Sequence, residues 1–310
     1  MSDPTLPQGT YVPVVTPFTA TGEVDYPALA QLLQRFLDAG VEALVLLGTT
    51  GESPTVTPDE FSAIIEYSLA QVQARSQRQV TVLAGIGTND TRSSIAQART
   101  AEALGVDGLL LVCPYYNKPT QSGIQRHFEA VADAVSIPLL VYNIAGRTGI
   151  NIETDTLLAL SAHPNIVGVK EASGDIEQIS EVLQRLAPDF LVLSGCDHLN
   201  FPLLCLGGHG VISTLANLVP GDVKTLVDAV STGDYATARR LHFQLLPLAY
   251  GCFLETNPIP IKTALAMTGE VQDVFRLPLE CMQPDTRQRW QDILTAYGLL
   301  APVELTDWAA

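Results

Sequence analysis

Eight short apolar runs, each followed by a segment of helical period, limit what this chain can fold into more than any other feature. The runs are "YVPVVT" from Tyr11, "ALVLLG" from Ala43, "VTVLAG" from Val80, "GLLLVC" from Gly108, "PLLVYN" from Pro138, "IVGVK" from Ile166, "FLVLSG" from Phe190 and "GVIS" from Gly210. Nearly every position in them is apolar, as expected of parallel strands buried on both faces. Between them, stretches such as "DYPALAQLLQRFLDAG" and "TPDEFSAIIEYSLAQVQ" place apolar residues at i, i+3, i+4 and i+7, the pattern of crossover helices. The second opens on Thr57 as N-cap, Pro58 in the first turn and Glu60 three residues on, a capping box. Eight such alternations within about 230 residues predict an α/β chain closed into a (β/α)8 TIM barrel, which commonly takes about 250 residues. An open doubly wound sheet is the competing architecture. Its support is "GIGTND" at Gly85, but Asp90 replaces the third glycine of a dinucleotide fingerprint, and a turn with Asn89 or Asp90 capping the next helix explains the segment.

Beyond Val230 the strand pattern stops, and "GDYATARRLHFQLLPLAY", "NPIPIKTALAMTG" and "PDTRQRWQDILTAYGLL" read as three further helices. The expected division is a barrel over 1–232 and a helical C-terminal region over 233–310. The start "MSDPTLPQGT" has neither a basic n-region nor an apolar h-region, and no uncharged apolar run reaches the roughly 18 residues that span a bilayer. A net charge of −16 without a basic stripe argues against nucleic acid as a partner. The five cysteines are odd in number and lack a CxxC pair, which suits reduced thiols and a cytoplasmic location. No HxH or HExxH group offers metal ligands, so no metal is expected, and no P-loop or complete dinucleotide fingerprint points to another cofactor.

A barrel works at the C-terminal ends of its strands. Here those ends carry Gly48-Thr49-Thr50-Gly51-Glu52, Pro114-Tyr115-Tyr116-Asn117, Tyr142-Asn143 with Gly146-Arg147-Thr148-Gly149, Lys170-Glu171, Gly195-Cys196-Asp197 and Ile212-Ser213. The chain has four lysines, and Lys118, Lys224 and Lys262 lie in polar or Pro-rich surroundings that suit a solvated ammonium. Lys170 instead ends an apolar strand. A lysine with its usual pKa near 10.4 is protonated in water, and desolvation is what frees an amine to attack a carbonyl. Structural alternatives stay open: Lys170 reaching solvent or pairing with Glu171, tyrosines that only pack, "GTTGE" as a plain turn, Arg147 as a surface arginine. Against them, Schiff-base chemistry needs neighbours that give and take protons, as Tyr142, Tyr116 and Thr49 can. Amides and hydroxyls of "GTTGE" suit a small carboxylate, and Arg147 suits a second one.

Taken together, "GTTGE", "PYYNKP", "YN" with "GRTG", "GVKEASGD", "GGHGVIS" and "NPIPIK" occur in the order and spacing of the dihydrodipicolinate synthase family. That family belongs to the class I aldolase superfamily, with N-acetylneuraminate lyase, and the resemblance runs from about Tyr11 to Leu300. It implies condensation of pyruvate with L-aspartate 4-semialdehyde, giving 4-hydroxy-tetrahydrodipicolinate for lysine and diaminopimelate synthesis. Lys170 would form the imine, Tyr142 would be the general acid/base, and Thr49 and Tyr116 would complete a proton relay. Thr50 would hold the pyruvate carboxylate, Arg147 that of the aldehyde, and Gly195 and Ile212 would give backbone contacts. The resemblance also implies a homotetramer of tight dimers in which Tyr116 enters the neighbour's site. Ala145 stands where the family commonly has proline, which keeps another pyruvate aldolase or hydratase-aldolase as the alternative reading. A pyruvate-binding barrel without turnover is the non-enzymatic one. Ser53, Asn89 and Tyr115 could line a regulatory pocket at the dimer interface. Lysine-inhibited members tend to carry polar or charged residues, including His and Glu, where this chain has Pro58, Phe61 and Ser93, so weak or absent lysine inhibition is expected.

Overall fold

A computed structural model describes residues 6–75 and 80–301. The strands are β1 (Gly9–Pro13), β2 (Ala43–Leu46), β3 (Thr81–Ile86), β4 (Gly108–Val112), β5 (Leu139–Asn143), β6 (Ile166–Glu171), β7 (Leu191–Ser194) and β8 (Gly210–Ile212). Each pairs in parallel with the next, and β8 closes on β1. The eight expected strands are therefore all present, as a closed barrel rather than an open sheet.

Side chains alternate along each strand between two apolar layers. Ala43, Val45, Leu83, Leu110, Leu140, Leu191, Leu193 and Ile212 fill the barrel interior. Leu44, Leu46, Val82, Leu109, Leu111, Val141, Val169 and Val192 face outward into the larger cluster beneath the helices. Both layers exclude water, which explains why the strands read as continuous apolar runs. At Gly168 a Cβ would lie 2.6 Å from the Leu191 carbonyl oxygen and 2.8 Å from Leu140 Cδ2. The absence of a side chain there lets Leu140 and Leu191 fill the interior one layer below Lys170.

The helices start where their capping chemistry says they should. Thr57 and Glu60 exchange hydrogen bonds of 2.9 and 3.2 Å at the head of Pro58–Arg75, the expected capping box. Asp90 accepts from Ser93 N at 2.9 Å and caps Thr91–Leu104, so the Gly85 segment is a strand-to-helix turn. Gly85 has a further role. A Cβ there would come within 2.7 Å of the Gly48 backbone, so its absence lets the "GTTGE" turn settle against β3.

The C-terminal helices are Tyr235–Gly251, Ile259–Met267 and Pro284–Tyr297. Trp290, fully buried, packs against Gly251 and donates its indole N–H to the Pro260 carbonyl at 2.7 Å, joining all three. Truncating such a side chain costs about 3–5 kcal/mol. Lys262 lies on the middle helix, and here the sequence expectation is corrected: its ammonium is fully buried and forms a 2.6 Å ion pair with Glu52 of the "GTTGE" turn. Of the other two lysines expected to be solvated, Lys118 is exposed, while Lys224 is partly buried between Glu42 and Asp228.

Candidate active site

Parallel pairing sets Tyr142 on β5 directly beside Lys170 on β6. Both point into the barrel mouth and both are buried, with Lys170 Nζ 4.2 Å from the centre of the Tyr142 ring. Lys170 does not pair with Glu171, which faces the other side of the strand. The Glu171 carboxylate accepts from Ser173 N at 2.6 Å and Asn143 Nδ2 at 3.2 Å, and burial pushes its pKa up against those bonds. It fixes the turn after β6 and leaves the Lys170 amine without a carboxylate partner among the described residues.

Space for the amine comes from β7. A Cβ on Gly195 would lie 2.9 Å from Lys170 Cε and 2.8 Å from Ala172 Cβ, so glycine is required for Lys170 to lie as it does. Beyond Gly195, Asp197 is buried and accepts from the Ser213 hydroxyl, from Leu215 N at 3.0 Å and from Asn200 Nδ2 at 3.1 Å. Burial raises its pKa, while those bonds and the nearby Lys170 oppose the rise. The Cys196 thiol is pushed up to about 11, first by burial and then by the Asp197 and Glu171 carboxyls, which disfavours the thiolate. Ile212 is buried at the end of β8, on the interior face.

Thr49, Thr50 and Gly51 form a short 3-10 turn after β2, closed by Glu52 N donating to the Thr49 carbonyl at 3.2 Å. Thr50 is buried and Thr49 half-buried. Glu52 takes a left-handed conformation, φ 54°, and its carboxylate meets Lys262 between the rings of Phe18 and Phe275. Burial lowers the Lys262 pKa to about 8, and Glu52 opposes the fall. Arg147 sits on the one-turn helix Ala145–Thr148, which Gly149 ends at φ 75°. Its guanidinium donates to the Asn257 carbonyl at 2.8 Å, and the Asn257 side chain donates to Thr50 Oγ1 at 3.0 Å.

The fold thus brings Lys170, Tyr142, Gly195 and Ile212 to one barrel mouth and ties Thr50 to Arg147 through Asn257. It does not bring Tyr116 to them within one chain: its side chain is 87% exposed, on a backbone at φ 72°. No hydrogen bond joins Thr49, Tyr116 and Tyr142 to one another among the described residues. Of the three residues expected to line a regulatory pocket, Asn89 and Tyr115 lie on loops joined through Asn117, which donates from Nδ2 to the Asn89 carbonyl and from N to the Tyr115 carbonyl. Ser53 opens the turn Ser53–Thr55 on the neighbouring loop. Sequence reasoning missed Asn257 and the Glu52–Lys262 pair. Both lie in quoted motifs, "NPIPIK" and "GTTGE", but nothing local shows that those motifs meet.

The model of the dihydrodipicolinate synthetase family matches residues 6–297. The chain belongs to this family. It is 46% identical to the 4-hydroxy-tetrahydrodipicolinate synthase of Syntrophobacter fumaroxidans, over 94% of this chain and 99% of the relative. It is 47% identical to the protein of that name from Nitratidesulfovibrio vulgaris, over 94% and 99%. The crystal structure of dihydrodipicolinate synthase from Aquifex aeolicus superposes with a TM-score of 0.90 at 43% identity, covering 94% of this chain and 98% of that one. Members of this family are thus similar to the chain across both the barrel and the C-terminal helices that supply Asn257 and Lys262. Among the described residues no group of His, Cys, Asp or Glu is arranged to hold a metal ion, and no helix is long and apolar enough to cross a membrane.

Proposed function

We infer that the chain is a 4-hydroxy-tetrahydrodipicolinate synthase, condensing pyruvate with L-aspartate 4-semialdehyde on the route to diaminopimelate and lysine. The observation that carries the chemistry is a buried amine, Lys170 Nζ, held over the ring of Tyr142 and free of a carboxylate partner among the described residues. In this reading the Nζ lone pair attacks C2 of pyruvate. Tyr142 passes a proton to the departing hydroxyl, water leaves, and an imine joins C2 to Lys170. Loss of a C3 proton gives an enamine, whose C3 bonds to the aldehyde carbon while the aldehyde oxygen takes a proton. The substrate's own amino group then attacks the imine carbon and releases Lys170, closing the ring.

Thr50 and the amides of its turn hold the pyruvate carboxylate, Arg147 holds that of the aldehyde, and Gly195 and Ile212 supply backbone contacts. Thr49 and a Tyr116 from a neighbouring subunit extend the proton path. Residues 1–232 carry this chemistry, and 233–310 add the helices that steady it. The reaction runs through the imine without a cofactor, in the cytoplasm. Tyr115 and Tyr116, adjacent in the chain and both exposed, offer apolar rings to a neighbouring subunit, which supports an oligomer and, in this reading, a dimer of dimers.

Borohydride reduction in the presence of pyruvate tests the central step. Intact mass should rise by one reduced pyruvate, located on Lys170 by peptide mapping and absent from Lys170→Ala. Protein that takes up no adduct excludes both the synthase and any other imine-forming aldolase. A panel of aldehydes compared by kcat/KM then tests the second substrate, with aspartate semialdehyde expected to lead sugar-derived aldehydes.

A further inference from the structure

Asn257 stands just before the helix Ile259–Met267 and touches both groups assigned to carboxylates. Its Nδ2 donates to Thr50 Oγ1 at 3.0 Å, and its main-chain carbonyl accepts from the Arg147 guanidinium at 2.8 Å. The residue is buried, and its Oδ1 has no hydrogen-bond partner among the described residues. A threonine hydroxyl carries one proton and two lone pairs. With the amide donating to one lone pair, the hydroxyl's own proton has to find an acceptor elsewhere, and a carboxylate is acceptor only. The reverse amide orientation would draw that proton to Asn257 and turn the hydroxyl's lone pairs toward the carboxylate, setting acceptor against acceptor. Two residues along, the buried Glu52–Lys262 pair fastens the same turn to the helix that follows Asn257, a second joint beside the Thr50–Asn257 bond.

We propose that Asn257 is a positioning residue: its amide makes the Thr50 hydroxyl a donor to the pyruvate carboxylate, while its main-chain carbonyl orients Arg147 for the carboxylate of the second substrate. The inference rests on the carboxylate role proposed above for Thr50. It separates the two functions of one residue. The side chain serves the first substrate, and the backbone serves the second.

The test uses the full chain and reads the pyruvate concentration that gives half-maximal borohydride adduct by intact mass, together with the aldehyde KM. Asn257→Asp is almost the same shape but accepts the Thr50 proton. Half-saturating pyruvate should rise on the order of 10- to 100-fold, the range for a hydrogen bond to a charged group. Asn257→Ala leaves the hydroxyl free to turn and should weaken pyruvate less than Asn257→Asp does. In both variants the aldehyde KM should move less than the pyruvate value, because the backbone carbonyl remains. A packing role predicts the opposite order, with the alanine cavity worse than the isosteric aspartate. That order, or an unchanged pyruvate value in Asn257→Asp, overturns the proposal. Thr50→Val separates the two readings. If it leaves pyruvate binding intact, the carboxylate role of Thr50 falls. Where it weakens binding and Asn257→Asp does not, only the inference about Asn257 falls. Should Asn257→Asp lose its cooperative melt, Asn257→Ala decides alone: weaker pyruvate at constant aldehyde KM supports the proposal, and unchanged pyruvate overturns it.

Discussion

At Lys170 a side chain is held by what its neighbours lack. Gly195 leaves room beside it, since a methyl there would come within 2.9 Å of Lys170 Cε, and Gly168 lets Leu140 and Leu191 fill the layer below. The amine lies against the Tyr142 ring, 4.2 Å from its centre, which gives the phenol its proposed task as acid and base. Tyr142→Phe keeps the ring and removes the proton. Pyruvate should still be trapped on Lys170 by borohydride, but turnover should fall by about 10²- to 10⁴-fold, the usual share of a general acid/base. Full activity in a stopped-flow or coupled assay would remove Tyr142 from the mechanism. The burial of Lys170 was legible in the sequence because it ends an apolar strand. That of Lys262 was not, because "NPIPIK" reads as a polar, Pro-rich surface until the fold turns its lysine inward between Phe18 and Phe275. Ser93 gives a second prediction at this scale. Its N and Oγ both bond to the Asp90 carboxylate, at 2.9 and 2.6 Å, so the hydroxyl is engaged in capping a helix and offers no charge to an ammonium. Free lysine at submillimolar concentration should therefore leave the steady-state rate unchanged, and clear inhibition in that range would overturn this expectation.

Elements were easier to read than the contacts between them. Strands buried on both faces have no polar alternation to blur them, so all eight were visible as runs. Among strand starts the largest misplacement is β1, expected from Tyr11 but observed from Gly9, while β3, β5 and β7 start one residue later than expected. Gly9 looks like turn punctuation in the sequence. In the barrel it is paired with Gly210, where a Cβ would come against the Gly9 backbone, so glycine marks a close approach of β1 and β8 rather than a break. The joint between the "GTTGE" turn and the helix Ile259–Met267 had no local signal at all, since Glu52 and Lys262 are 210 residues apart. Their pair is dry on both sides, and removing one partner leaves the other charge buried alone. Lys262→Met should therefore destabilise the fold by about 3–5 kcal/mol in urea unfolding followed by circular dichroism. Glu52→Gln combined with Lys262→Met should recover most of that loss, because neither neutral side chain leaves an unpaired charge in the interior. If the double variant is as unstable as the single one, the pair acts through shape and not through charge.

For the whole molecule, the question is whether one chain holds a complete site. Tyr116 is a bulky residue at positive φ with its side chain almost wholly in solvent, a conformation that costs on the order of 1–3 kcal/mol and persists only where something else fixes it. Beside it, Tyr115 is also exposed, so this loop presents two phenols away from the barrel that carries Lys170. A symmetric partner facing the same loop would both cover these rings and receive one of them. In that arrangement Lys170→Ala and Tyr116→Phe damage different subunits' contributions to one site. Mixing the two variants under conditions that dissociate and reassemble the oligomer should then create hybrids with one intact site each. Random pairing makes half of the dimers hybrid, so about a quarter of all sites should regain full activity although each parent alone is impaired. Sedimentation velocity on the same mixture reports whether the species is a tetramer, and mass spectrometry after borohydride trapping counts the competent lysines. Activity that stays at the mean of the two parents, in a mixture shown to have exchanged subunits, would mean that Tyr116 does not work across an interface.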